Sequence, residues 1–273
     1  MPVIDRSFSV MLDGKPFSFS GRMRLRGEDE LSLFPALFTL ELWNLPEEYF
    51  LRLFRAKMIS VSHDDACLVS GSISDVFRQP AKEGVVTTVA ISLGLDLWES
   101  TVSLTVPANT SLSDTIRQIL AASGTGICLL ADLENDSTLV RPQSFFGRAA
   151  ECVSQVLARP FRSTGVIPSE AEGSFLRAML TPSGIITVPP DGLSEAVKIT
   201  ESDLTDTVAF SGGSLCGTKP LAILSATVAG WRPGQTVEVQ QGSVFFRGII
   251  VSRSVDADTA SGPWKSEMIV EVV

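Results

Sequence analysis

The sequence predicts a mainly β protein of the α+β class, built as two similar small β-barrel domains with an intervening α/β insert. Three observations predict it. Apolar residues fall mostly in short period-two runs bounded by turn residues. Helical spacing is concentrated in the middle of the chain. The two β-rich ends share one order of strands, turns and glycines. The boundaries that follow are 1–98 for the first β-barrel, 99–194 for an α/β insert with two helices and a hairpin, and 195–273 for the second β-barrel. With 273 residues, 44% hydrophobic and 19% charged, the chain can bury sizeable cores and has little room for a long solvated tail.

The elements follow in order. SFSVML, the Asp13-Gly14 turn and KPFSFSG predict a hairpin, because Asp-Gly readily takes the positive φ values of a type I′ turn. Residues 38–43, FTLELW, alternate as a half-buried strand does. Pro46 at a first helical position, Glu47 and Glu48 in the first turn, and Tyr49, Phe50, Leu53 and Phe54 at helical spacing predict a short amphipathic helix. Strands resume at MISVSH, ACLVSGSISDVF and VVTTVAISL. After Trp98 the composition changes. VSLTVP predicts a strand, and Ser111 with Asp114 three residues on predicts a capped helix with an apolar stripe of Ile116, Ile119 and Leu120, ended by Gly124. A second helix is predicted from about Ser144 to Ala158, where Phe145, Ala149, Ala150, Val153, Val156 and Leu157 recur before Pro160. FLRAMLTPSGIITVPP predicts a hairpin around Pro182-Ser183-Gly184, and residues 197–273 read as strands and turns.

The ends repeat. ISVSHDDACLVSGSISDVFRQPAKEGVVTTVAIS and VEVQQGSVFFRGIIVSRSVDADTASGPWKSEMIVEV both read as strand, tight turn, strand, Gly, strand, polar loop with a Gly, strand. Gly71 and Gly84 stand 13 positions apart, Gly248 and Gly262 14. The expectation is two copies of one small barrel, which requires the two ends to have the same strand order.

Composition excludes several chemistries. A net charge of −9, from 31 acidic and 22 basic residues, repels a phosphate backbone and argues against nucleic-acid binding. His63 is the single histidine, so no HExxH site or zinc finger exists. It stands in VSHDDA, which reads as a solvated turn; His63, Asp64 and Asp65 on one turn do not converge as metal ligands without distant partners. Cys67, Cys128, Cys152 and Cys216 are scattered with no CxxC pair, and read as isolated buried thiols. No GxSxG elbow occurs, and SGGSLCG at 211–217 lacks the Lys and helix of a phosphate loop. Paired carboxylates for glycoside hydrolysis remain open by composition, but Trp43, Trp98 and Trp264 fall at or beside strands, where core packing is the simpler role. The helix bearing Phe50, Leu53 and Phe54 is read as core cover, with contact to a neighbouring subunit through its outer aromatics, Arg52 and Arg55 as the alternative. No segment approaches ~18 uninterrupted apolar residues, so no membrane span or membrane binding is expected. The N-terminus lacks the apolar core of a signal peptide, so the chain is expected to be made and kept in a cytoplasm.

Several segments together resemble a known family. They are the opening hairpin with its DGK turn, FTLELWNLP before a short helix, LVSGSISDV where a barrel strand turns through Gly, VPANTSLSDTIRQIL, and the closing WRPGQTVEVQQGSVFFRGIIVSRSVDADTASGPWKSEMIVEV. In this order they resemble the baseplate or tail hub proteins of contractile-tailed phages such as Mu, and the related N-terminal hub region of VgrG proteins in type VI secretion. The resemblance implies a homotrimeric ring in which two similar barrels per chain alternate, adapting a sixfold tail tube to a threefold spike. It implies a structural role with no catalysis, no cofactor and no metal. The partners implied are the tail spike protein and the tail tube and baseplate proteins, in a virion tail baseplate assembled in the bacterial host cytoplasm. DNA would pass through the lumen without specific binding, and an acidic wall would keep a polyanion moving. The chain is short for such hubs and ends in a strand at Val273, so a separate spike chain is expected. The alternative class is a carbohydrate- or peptidoglycan-binding or hydrolysing β-rich module.

Overall fold

The computed structural model describes residues 6–133, 136–157, 177–181, 184–188, 193–211 and 220–273. The chain opens with strands β1 (Ser9–Leu12) and β2 (Lys15–Pro16), joined at Asp13 and Gly14 with φ of 47° and 73°, the two positive values a type I′ turn needs. Next come β3 (Met23–Glu30), β4 (Ala36–Trp43), helix α1 (Glu47–Arg55), β5 (Met58–His63), β6 (Ala66–Ala81) and β7 (Gly84–Leu93). The middle holds α2 (Leu95–Glu99), β8 (Thr101–Val106), α3 (Leu112–Ser123), β9 (Gln143–Arg148), α4 (Ala149–Leu157), β10 (Arg177–Thr181) and β11 (Gly184–Val188). The last part holds β12 (Leu193–Ile199), β13 (Ala209–Ser211), β14 (Leu221–Thr227), β15 (Gln235–Gln241), β16 (Val244–Asp258) and β17 (Trp264–Val272).

One strand order occurs twice. The first unit runs β3-β4-β7-β6-β5 and the second β13-β14-β17-β16-β15, every neighbouring pair antiparallel. The match is residue by residue. Gly71 of β6 lies opposite Ile59 of β5, as Gly248 of β16 lies opposite Val237 of β15. Both long strands then carry a register shift, between Ile73 and Asp75 in one and between Ile250 and Ser252 in the other. A Cβ on Gly71 would strike the Ser92 carbonyl and Ile91, and one on Gly248 the Glu271 carbonyl and Val270. These are the same two places on β7 and β17. Glycine is needed there because the neighbouring backbone approaches too closely for any side chain.

The units are joined edge to edge. β16 pairs along its far half with β3, from Ser252 opposite Glu30 to Asp258 opposite Arg24. The result is one 13-stranded sheet, whose order is open at both ends. Buried residues sort into three clusters. One lies inside the first unit around Leu25, Phe38, Leu40, Leu42 and Val89, one in the middle of the chain around Ile116, Phe145 and Val153, and one inside the second unit around Leu224, Val237 and Val270. The glycine-adjacent bulge in β16 turns the strand's inward parity from Phe246 and Ile250, in the second unit's core, to Val255 and Ala257, in the first unit's.

Several expectations change. Gly71 does not turn the chain: β6 is one continuous 16-residue strand through it. Pro46 stands one residue before the helix, in extended conformation at φ −58° and ψ 153°. Residues 143–148 are strand β9, paired with β8 from Val106 opposite Gln143 to Thr101 opposite Arg148, and the helix among the described residues is Ala149–Leu157. Side-chain exposure follows the strand period there, with Phe145 buried at 1% and Phe146 open at 85%. α2 is a further short helix, beyond those the sequence predicts. α3 is as expected: the Ser111 hydroxyl accepts from the Asp114 N–H at 3.0 Å, Gly124 ends the helix at φ 68°, and Ile116, Ile119 and Leu120 are buried. The turn residues Pro182 and Ser183, the segment 158–160, and most of SGGSLCG, with Cys216, lie outside the described residues.

Candidate assembly surfaces

The seam between the units is held by charge as well as by backbone. Arg253 of β16, 1% exposed, donates through Nε and Nη2 to the two oxygens of Asp29 on β3 at 2.9 and 2.8 Å. Its Nη1 donates to the Trp231 carbonyl at 2.8 Å and its Nη2 also to the Leu68 carbonyl at 2.9 Å. One guanidinium thus ties β16, β3, β6 and the connection before β15 through four of the five fixed donors that only arginine carries. On the opposite face Arg24 makes a two-point bond to Asp256, both contacts at 2.9 Å, and Arg26 bonds Glu41. Arg22 reaches Asp258 and Glu83 while lying 4.3 Å over the Trp43 ring. Burial pushes the Asp258 carboxyl up, but the Arg22 bond and the N–H groups of Ala260 and Ser261 outweigh it and hold the group below its ordinary range.

The repeat leaves one asymmetry. The far half of β16 lies between β17 and β3, and its Arg253, Val255, Ala257 and Asp258 are buried. The matching half of β6, residues 74–81, pairs with β7 alone among the described residues, and Asp75, Phe77, Gln79, Pro80 and Ala81 are exposed. β13, the counterpart of β3, pairs with β14 alone among the described residues, and its three residues are exposed. The Arg78 guanidinium of β6 lies 4.0 Å over the Phe50 ring of α1 and donates to the Leu45 and Pro46 carbonyls.

The outer face of the sheet is acidic but largely paired. Glu28, Glu30, Glu41, Asp256 and Glu267 share it with Arg24, Arg26 and Lys265, and a cleft of about 660 Å³ runs between Leu37, Ile223 and Ile269 at its centre. On α1, Leu53 is buried and Phe50 packs on the first core, which is core cover as expected. Phe54, 66% exposed, stacks on Phe50, and Arg52 lies over the rings of Phe17 and Tyr49.

The residues weighed for chemistry do not converge. His63 is not a solvated turn residue: it is buried, its Nδ1 lies 2.9 Å from the Ser7 carbonyl, and its ring meets Trp264 edge-on at 5.0 Å. The turn itself is Asp64-Asp65, both at positive φ. Trp264 is a core residue stacked on Phe8 at 5.2 Å, whereas Trp98 carries the exposed Phe34 on its face at 4.8 Å. Of the thiols, Cys152 is buried, Cys67 half-buried and Cys128 exposed, so the last departs from the expectation. Among the described residues no group of His, Cys, Asp and Glu is arranged to hold a metal ion, and no helix is long and apolar enough to cross a membrane.

This architecture, a tandem β unit interrupted by an α/β segment, is the fold of phage tail proteins and of a type VI secretion component similar to them. The tail protein from Neisseria meningitidis superposes with a TM-score of 0.69 at 11% identity, over 97% of this chain and 95% of that one. The 43 kDa tail protein of prophage MuSo2 from Shewanella oneidensis gives 0.64 at 11% identity, over 97% of both chains. The E. coli c3393 protein gives 0.64 at 13% identity, over 97% of this chain and 76% of that one; it is a type VI secretion component similar in structure to the T4 bacteriophage tail proteins gp27 and gp5. No family model and no curated protein matches the sequence.

Proposed function

We propose that the chain is a structural hub of a phage tail baseplate or of a phage-derived injection device, acting without catalysis. In this reading residues 1–98 and 195–273 form two small barrels flanking the insert 99–194. Three chains alternate their barrels around a ring that joins the tail tube to the central spike. The observation that carries the reading is the tandem strand order. Two equivalent units in one chain, already joined edge to edge, give a threefold assembly six near-equivalent positions, and head-to-tail contacts form a ring when the rotation between copies closes. The likeness to tail proteins supports it. The acidic outer face fits a lumen wall that repels a passing polyanion. The partners are then the spike and tube proteins and the location the virion tail, assembled in the host cytoplasm. Native mass measurement tests it: a stable species of three times 29.3 kDa is expected, and a monomer at micromolar concentration overturns it. Labelling the chain in an assembled particle is expected to place it on the tail axis.

A further inference from the structure

We propose that the open edge of β6 is completed by β13 of a second copy of this chain, with Phe77 opposite Ser211, Arg78 opposite Phe210 and Gln79 opposite Ala209 of that copy. The proposal deepens the ring reading and rests on it for closure of the contact around an axis.

The register comes from the chain's own seam. There Ser254 lies opposite Glu28, Val255 opposite Gly27 and Asp256 opposite Arg26. The β6–β7 and β16–β17 ladders match Ser254 with Phe77, Val255 with Arg78 and Asp256 with Gln79. The β3–β4 and β13–β14 ladders match Glu28 with Ser211, Gly27 with Phe210 and Arg26 with Ala209. Each open edge is therefore the missing half of a junction this chain makes once internally. The occupant is a second copy because the two edges correspond to the two partners of the seam inside the chain: one is the β16 type and the other the β3 type.

Backbone chemistry sets the length of the contact. The Thr259 N–H donates to the Met23 carbonyl, so by alternation Ala257 and Val255 also direct their backbone groups at β3. Their counterparts at the open edge are Pro80 and Arg78. Pro80 has no N–H, which ends the ladder there. Arg78 and Phe210 exchange both backbone bonds, and the flanking pairs Phe77–Ser211 and Gln79–Ala209 are the non-hydrogen-bonded kind, with Cα atoms about 4.5 Å apart. Phe77 and Phe210, 42% and 53% exposed, become covered.

That spacing lies within the reach of a disulfide. The experiment compares the full chain carrying Phe77→Cys with Ser211→Cys, each single variant, and the diagonal pair Phe77→Cys with Ala209→Cys, all with the native cysteines kept. Under mild oxidation the in-register pair is expected to give covalent dimers and trimers on a non-reducing gel, reversed by reductant and at least about tenfold above the single variants and the diagonal pair. Three results overturn the proposal. A threefold native mass without the crosslink leaves the ring standing and removes this edge from it. Equal crosslinking of the diagonal pair removes the register. A monomeric native mass with no crosslink removes the edge contact and the ring reading together.

Discussion

Replacing Arg253 by Met is expected to destabilise the protein by about 3–5 kcal/mol, the cost of breaking a buried ion pair by deleting one partner. Arg253 is 1% exposed and the Asp29 side chain 13% exposed, so solvent cannot replace the lost guanidinium. Methionine fills most of the volume, which isolates the electrostatic and hydrogen-bonding part of the loss. Two contributions separate by a double variant. Asp29 left charged without a partner is relieved by Asp29→Leu, whereas the Trp231 and Leu68 carbonyls that Arg253 also serves stay without a donor, at about 1–3 kcal/mol in all. The double variant is therefore expected to be more stable than Arg253→Met alone by about 2–3 kcal/mol. Arg253→Lys keeps the charge but not the fork, and is expected to fall between. Urea unfolding followed by tryptophan fluorescence measures all four proteins, with the slope checked for constancy so that midpoints convert to free energies. A loss under about 1 kcal/mol for Arg253→Met, or a double variant no better than the single, would refute the view that this ion pair holds the two units together.

Three further outcomes are expected. Gly71→Ala and Gly248→Ala each force a strand aside against neighbouring backbone and are expected to cost similar amounts, about 1–3 kcal/mol; a neutral effect at one and a large one at the other, by thermal unfolding, would break the equivalence of the two units. Asp258 is held below its ordinary value of 3.8 in the folded state, so the stability it contributes is complete above that value and is lost as pH falls through the lower folded value. Asp258→Asn is expected to flatten the acid limb of the urea midpoint between pH 5 and 2, and an unchanged slope contradicts it. Ser111→Ala removes the hydroxyl that caps α3 and is expected to cost about 1 kcal/mol with no change in native mass.

The repeat was legible in the sequence because its markers are backbone requirements. Gly71 and Gly248 were paired from spacing alone, and the ladders place them at the same point of the same strand order. Spacing does not tell what they do, since a glycine in a period-two run marks a close approach of backbone as readily as a turn. Phe145 misled for a related reason. Its spacing to Ala149 and Val153 suits a helix, but β8 was available as a partner and tertiary pairing overrode the local period. The seam was invisible although its signal was present. Arg253 shares inward parity with Val255 and Ala257, and Asp29 with Leu25. A charge at an inward position on each of two strands is evidence that they pair, but which strands meet is a matter of topology that periodicity does not encode. The aspartates after His63 signal a turn in the sequence, whereas the Ser7 carbonyl and the Trp264 ring from the other unit, both remote in sequence, meet the buried imidazole.

The two kinds of edge in this chain are stabilised very differently, and the difference has a physical logic. Inside the chain the β16–β3 ladder extends from residue 252 to 258 and carries Arg253–Asp29, Arg24–Asp256 and Arg22–Asp258, so it forms with the fold and needs no second molecule. The β6 edge is stopped by Pro80 and would meet the three described residues of β13, among which the transferred register places no ion pair. A long unpaired edge is a template for indiscriminate strand addition, and a proline with a short partner strand limits that hazard. The proposed contact would be weak alone, and would become durable only when closure of the proposed ring made each copy hold two neighbours at once, so that no single opening released a subunit. In the proposed ring, a strong junction inside the chain and a weak one between chains would make folding precede assembly and assembly proceed only as a closed set.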